Sequence, residues 1–161
     1  MGSILYMHQP PENGGGDTLF ANMYVAYEKL SDSMKAYLKS LTAVHDGEQV
    51  YRGRYGADTG KVFPRNEHPI VRTHPVTRRK CLFLGRRRAA YVVGLPLAES
   101  EALLDQLWVH ATQPALCWTQ VWREGDVVVW DNRCVLHRRD DFDDRYRRVM
   151  HRTQICGDRP F

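Results

Sequence analysis

The strongest constraint on this chain lies near its C-terminal end, where an apolar run gives way to a polar one and the chain turns back. Asp126-Val127-Val128-Val129-Trp130 opens a hydrophobic strand that reads on through Asp131, Asn132, Arg133 and Cys134 to His137. Such β-branched and aromatic residues suit a pleated, half-buried surface. The acidic run Asp140-Asp141-Phe142-Asp143-Asp144 reads as a turn, and Arg147 to Ile155 as the returning strand. Segments 126–137 and 147–155 are therefore expected to be antiparallel neighbours. Side chains alternate between faces along a strand, so Arg148, Met150 and Arg152 share one face. An imidazole and two guanidinium groups on adjacent strands suit an anionic ligand that chelates a metal.

The rest of the chain mixes helix and strand. Ile4 to Met7 reads as a short strand, and Pro10 to Asn13 with the glycines that follow as a turn cluster. Leu19 to Leu30 reads as a helix. Ser31 caps a second helix through Leu41, with Met34, Tyr37, Leu38 and Leu41 at helical spacing. Asp46 to Glu67 is polar and glycine-rich without a sustained period, which predicts a long loop of the kind that serves as a lid. Val71 to Thr73 and Lys80 to Leu84 read as strands around a turn at 75–79. Leu97 to Thr112 is the clearest helix, with Leu103, Leu104, Leu107, Trp108 and Ala111 on one apolar face. Cys117 to Arg123 adds a further strand, and the four tryptophans read as core.

Five strings in one order resemble the taurine dioxygenase and phenoxyacetate dioxygenase family of iron(II)- and 2-oxoglutarate-dependent oxygenases. They are Gly15 to Asn22; Ala26-Tyr27-Glu28; His68 to Val76; Trp130 to Arg133 with His137; and Met150-His151-Arg152 with Gly157 to Pro160. The resemblance covers nearly the whole chain. It implies a mixed α and β fold, a double-stranded β-helix or jelly roll with flanking helices, in which His137, Arg148 and Arg152 point into one cavity between two sheets. It also implies hydroxylation of a small anionic substrate, a carboxylate or sulfonate, with release of succinate and CO2.

Roles follow residue by residue from that resemblance. His137 matches the distal iron ligand, and Arg148 the arginine that pairs with the distal carboxylate of 2-oxoglutarate, where a planar fork holds two oxygens. Thr18 matches a threonine that helps hold the same carboxylate; read from the residues alone, it equally caps the helix expected at Leu19. Arg152 matches an arginine that meets the substrate anion, and Tyr51 an aromatic of the substrate pocket. Gly85-Arg86-Arg87-Arg88 departs from the taurine type, which argues against strict taurine specificity. The family's other two iron ligands form a His-x-Asp or His-x-Glu motif, and the residues two places after the seven histidines are Pro10, Gly47, Ile70, Val76, Thr112, Arg139 and Thr153. No such motif is present. In the family it lies upstream of the Gly-Gly-Asp-Thr turn, so the chain resembles the C-terminal portion of a longer enzyme and a jelly roll incomplete at its N-terminus. Missing strands would leave an unpaired edge and an uncovered apolar face, which favour homo-oligomers.

At 161 residues one domain is expected. No apolar run is long enough for a bilayer and no signal peptide is visible, so no membrane partner and a cytoplasmic location are expected. Cys81, Cys117, Cys134 and Cys156 lack close pair spacing and read as free thiols, the first three as small buried hydrophobes. A net charge of +4 is dispersed among acids, so no nucleic-acid partner is expected. Two rival readings remain: a non-catalytic homologue that binds anions through Arg148 and Arg152, and a basic nucleic-acid-binding module resting on charge and the Arg86–Arg88 triplet.

Overall fold

The computed structural model describes residues 1–47, 62–85 and 89–157. In chain order these form β1 (Gly2–Gln9), β2 (Thr18–Asn22), α1 (Met23–Glu28), α2 (Asp32–Leu38), β3 (Thr42–Asp46), β4 (Arg65–Pro69), β5 (Val71–Thr73), β6 (Lys80–Leu82), β7 (Ala90–Val92), α3 (Leu97–Ala111), β8 (Cys117–Gln120), β9 (Val127–Asp131), β10 (Val135–Arg139) and β11 (Val149–Ile155). They make a mixed α/β architecture of small antiparallel sheets: β11-β1-β9 (sheet I), β10-β2-β8 (sheet II), β4-β3-β7 (sheet III) and the hairpin β5-β6.

Segment 126–137 is not one strand. It breaks after Asp131, where the Arg133 N–H donates to Asp131 Oδ1 at 2.8 Å and the Cys134 N–H to the Asp131 carbonyl at 3.3 Å. That local turn carries the chain from sheet I into sheet II. The expected antiparallel neighbours are therefore separated. β1 lies between β9 and β11, with Leu5 opposite both Val128 and Arg152, while β10 pairs with β2. Alternation survives the rearrangement: Ser3 and Met7 are buried on the inner face of sheet I, whereas Tyr6, Val127, Val129 and Ile155 are exposed on its outer face.

The helix expected over Leu19–Leu30 is also divided. Its first residues form β2, the central strand of sheet II, and Asn22 then caps α1 by accepting from the N–H groups of Tyr24 and Val25. Tertiary pairing on both edges outweighs local helix preference here. Ser31 caps α2 as expected, through the Met34 N–H, but the helix ends at Leu38 rather than Leu41. β4 starts inside the stretch expected as loop, and β3 and β7 join it in sheet III. The main core lies between α1, α3, sheet III and the β5-β6 hairpin, around Met23, Ala26, Leu38, Ile70, Leu82, Val92, Leu104 and Leu107. Among the described residues, no helix is long and apolar enough to cross a membrane.

Candidate active site

Sheets I and II meet through aromatic rings. Trp130 of β9 lies 5.2 Å from Phe20 of β2 and 4.8 Å from the His137 ring of β10, and His137 stacks on Phe20 at 6.2 Å. Phe20 and His137 are opposite one another in the ladder, so both project from the same face of sheet II. Beside them a cavity of about 560 Å³ is lined by Leu5, Thr18, Trp108, Trp130, His137, Arg138, Arg139, Arg148, Met150 and Arg152. Thr18, His137, Arg148 and Arg152, singled out from sequence, are thus brought together. Tyr51 and Arg86 to Arg88 lie outside the described residues, as do Asp158, Arg159 and Pro160.

Each cavity residue is held by a different device. Thr18 does not cap a helix: it is 2 % exposed at the start of β2, and its hydroxyl oxygen accepts from the Trp122 indole N–H at 3.0 Å. That contact leaves the hydroxyl hydrogen to donate toward the cavity. The Arg148 Nε donates to the Gly16 carbonyl at 3.1 Å. Burial pushes the Arg148 guanidinium down from its ordinary value; Arg139 pushes the same way and Asp17 opposes it. Arg148 nonetheless stays cationic, because an arginine is not deprotonated under ordinary conditions. Arg139 lies over the Phe142 ring at 4.9 Å and Arg148 at 5.9 Å, while Arg152 donates to the Ser3 hydroxyl at 3.3 Å. Arg138, Arg139, Arg148 and Arg152 all line the cavity, a concentration of guanidinium groups that attracts carboxylates.

Sequence reasoning missed the supports of these groups. Gly16 has φ +67°, and a Cβ there would stand 2.8 Å from Arg148 Nε; the triple glycine was the available signal. Trp122, read only as core, orders Thr18. Trp122 and Trp130 are buried, but Trp118 is 54 % exposed, contrary to the core expectation, because it stacks on Phe20 at the margin of the sheet pair. Cys81 and Cys134 are buried as expected, while Cys117 is only half-buried. Burial pushes the Cys81 thiol up to about 12.

Toward iron, the described donors are sparse. The one group of three metal-capable side chains among them, His74, Asp131 and Cys134, does not include His137. His45 packs against His68 and Phe83, and His151 against Tyr6 and His8, and neither lines the cavity. The donor set suits a carboxylate anion and offers a metal one imidazole.

Residues 1–154 match the family model for taurine catabolism dioxygenase TauD, TfdA family. The chain belongs to the TauD/TfdA dioxygenase family. It is 39% identical over 154 residues to the alpha-ketoglutarate-dependent 2,4-dichlorophenoxyacetate dioxygenase of Burkholderia sp. (strain RASC), covering 93% of this chain and 51% of that one. It is 41% identical over 160 residues to the (S)-phenoxypropionate/alpha-ketoglutarate-dioxygenase of Sphingobium herbicidovorans, covering 89% and 53%. The crystal structure of AAD-2 in complex with Mn(II) and N-oxalylglycine superposes with a TM-score of 0.87 at 33% identity, covering 99% of this chain and 64% of that one. This TauD/TfdA member spans about half the length of the curated relatives named.

Proposed function

We propose that this chain forms the 2-oxoglutarate-binding side of a non-haem Fe(II)- and 2-oxoglutarate-dependent dioxygenase acting on a small carboxylate- or sulfonate-bearing organic molecule. The observation that carries it is the convergence of Thr18, His137, Arg148 and Arg152 on one cavity from β2, β10, β11 and the residue before β11. On this reading sheets I and II are the two faces of a jelly roll. Arg148 and the Thr18 hydroxyl hold the distal carboxylate of 2-oxoglutarate, and Arg152, more exposed, meets the substrate anion. His137 offers its imidazole to the metal, oriented by Trp130 and Phe20. When bound, Fe(II) supplies the oxygen chemistry that couples loss of CO2 from 2-oxoglutarate to oxidation of a substrate C–H bond. Leu5, Trp130 and Met150 give the cavity an apolar side on which the carbon skeleton of a substrate can rest.

A second reading has its own support. Because the described residues place one imidazole and no carboxylate ligand in the cavity, the chain acting alone fits an anion-binding homologue without turnover. Calorimetric titration with 2-oxoglutarate tests the binding role without iron: Arg148→Ala is expected to weaken it by ~1.5–3 kcal/mol, the worth of a charge-assisted hydrogen bond, and Arg152→Ala to leave it nearly unchanged. Equal effects would refute the division of labour. Succinate formation with added Fe(II) and an aryloxyacetate or alkylsulfonate, abolished by His137→Ala, separates the enzyme from the anion binder.

A further inference from the structure

The turn between β9 and β10 is gripped by a residue from a third unit. Asp131 Oδ1 accepts from the Arg133 backbone N–H at 2.8 Å and from Arg133 Nε at 2.9 Å; Oδ2 accepts from Arg133 Nη2 at 2.7 Å and from His74 Nε2 at 3.0 Å. The tautomer of His74 follows from its other nitrogen. Nδ1 faces the backbone N–H groups of Val76 and Thr77, at 3.3 and 3.2 Å, and both are donors. Nδ1 must therefore be the unprotonated nitrogen and Nε2–H the donor to Asp131.

This geometry decides between two uses of the cluster. His74, Asp131 and Cys134 present ligand atoms within 4.8 Å of one another, a spacing that suits a metal ion. A metal on Nε2 would, however, need an imidazole stripped of both protons while Nδ1 keeps its two N–H contacts. Arg133 also already fills the Asp131 carboxylate. A brace is the better account. His74 is 3 % exposed and sits at the base of the β5-β6 turn. That turn is anchored on α1, where Thr77 Oγ1 lies 2.8 Å from Tyr24 Oη and the Arg79 guanidinium covers the Tyr24 ring at 4.3 Å. The next residues of the crossing turn are tied to the same block, through Arg133 O to Cys81 Sγ at 3.4 Å and Cys134 O to Met23 N at 3.0 Å.

We propose that His74 is a positioning residue: by holding Asp131 it fixes the Asp131–Cys134 turn and so the register in which β10 presents His137. The proposal rests on the role given to His137 above. Its physical basis is the period of two along a strand. A slip of one residue would turn His137 away from Trp130 and put Leu136 in its place. Asp131 is the last residue before the crossing and His137 the third residue of β10, so the turn sets that register.

The test uses the full chain and the NMR signals of the His137 ring, which carry ring-current shifts from Trp130 and Phe20. His74→Leu removes the donor and is expected to shift or broaden those signals, while 2-oxoglutarate affinity, set by Arg148, stays within about twofold. His74→Gln, which restores an N–H donor toward Asp131, is expected to return them. Asp131→Asn, which weakens the same contact with little change of shape, gives a partial shift and decides the matter if His74→Leu does not fold. His137 signals unmoved in a folded His74→Leu or Asp131→Asn variant would overturn the proposal. Shifted signals in a chain that binds no 2-oxoglutarate would instead count against the proposed function and leave the brace standing.

Discussion

Gly16→Ala is the perturbation that bears most directly on the proposed co-substrate site. Two costs arise, and they fall on different observables. The first is backbone strain: Gly16 has φ +67°, and an L side chain there loses about 1–2 kcal/mol of stability. The second is local: the new Cβ would stand 2.8 Å from Arg148 Nε and 2.9 Å from Arg148 Cδ. The guanidinium must withdraw, lengthening its bond to the Gly16 carbonyl and shifting its fork from the carboxylate. Loss of one charge-assisted hydrogen bond is worth ~1.5–3 kcal/mol, a weakening of roughly 10- to 150-fold in 2-oxoglutarate affinity. Gly14 supplies the control, since its φ is +79° but a Cβ there would meet nothing within 4 Å. Denaturant unfolding should show both alanine variants destabilised, Gly16→Ala by at least as much as Gly14→Ala. Calorimetric titration with 2-oxoglutarate should show the loss of affinity in Gly16→Ala alone. Equal affinities in the two variants would refute the cradle and remove a main support for Arg148 as the co-substrate anchor.

Acidification should destabilise the fold through His45, whose imidazole is pushed down to about 4 by burial, with the His68 charge adding to it. The unfolded chain binds that proton first, so stability should fall as the pH drops from about 6.5 toward 4, and His45→Gln should flatten the slope of thermal midpoint against pH; an unchanged slope refutes the assignment. Asp131 acts in a lower window. Burial opposes its charge, but hydrogen bonds from Arg133 and His74 hold the carboxyl well below the usual carboxylate range, so its contribution is present above about pH 4 and is lost only on further acidification. Asp131→Asn should accordingly lower the thermal midpoint at pH 7 and narrow the gap to the unsubstituted chain near pH 2. Thiol labelling should modify exposed Cys156 rapidly and leave buried Cys81 and Cys134 protected until unfolding; fast labelling of Cys81 in the native protein would contradict the core placement.

Long apolar periodicity was the most legible feature. α3 runs Leu97–Ala111, and Leu103, Leu104, Leu107 and Ala111 are buried as their spacing requires. The β5-β6 hairpin and the Ser31 cap were likewise readable, because turn residues and capping side chains act locally. Segment 18–22 was not. Its central position in sheet II depends on partners at 117–120 and 135–139, and no short window contains them. The same limit hid the break at Asp131: Asp131-Asn132-Arg133 reads equally as the polar end of one strand, and the switch between sheets is made by side-chain hydrogen bonds to Asp131. The site residues were legible as types in order, but their neighbours were not. The Trp122–Thr18 contact and the Ser3–Arg152 contact each join residues more than a hundred positions apart.

The place of β1 between β9 and β11 bears on how the molecule assembles. Each rung of β1 closes a loop of more than a hundred residues, as in Leu5 with Val128 and Leu5 with Arg152. Closure of this kind is entropically costly before any contact repays it, and topologies dominated by distant pairings fold slowly. During synthesis Ile4, Leu5 and Met7 must wait, exposed, for strands that emerge more than a hundred residues later. Helices and the β5-β6 hairpin can form meanwhile from contacts near in sequence, but the wall carrying Leu5, Met150 and Arg152 cannot. The cavity is therefore a late product of folding, and a lesion that slows β1 docking would deplete ligand binding while leaving helical content almost intact.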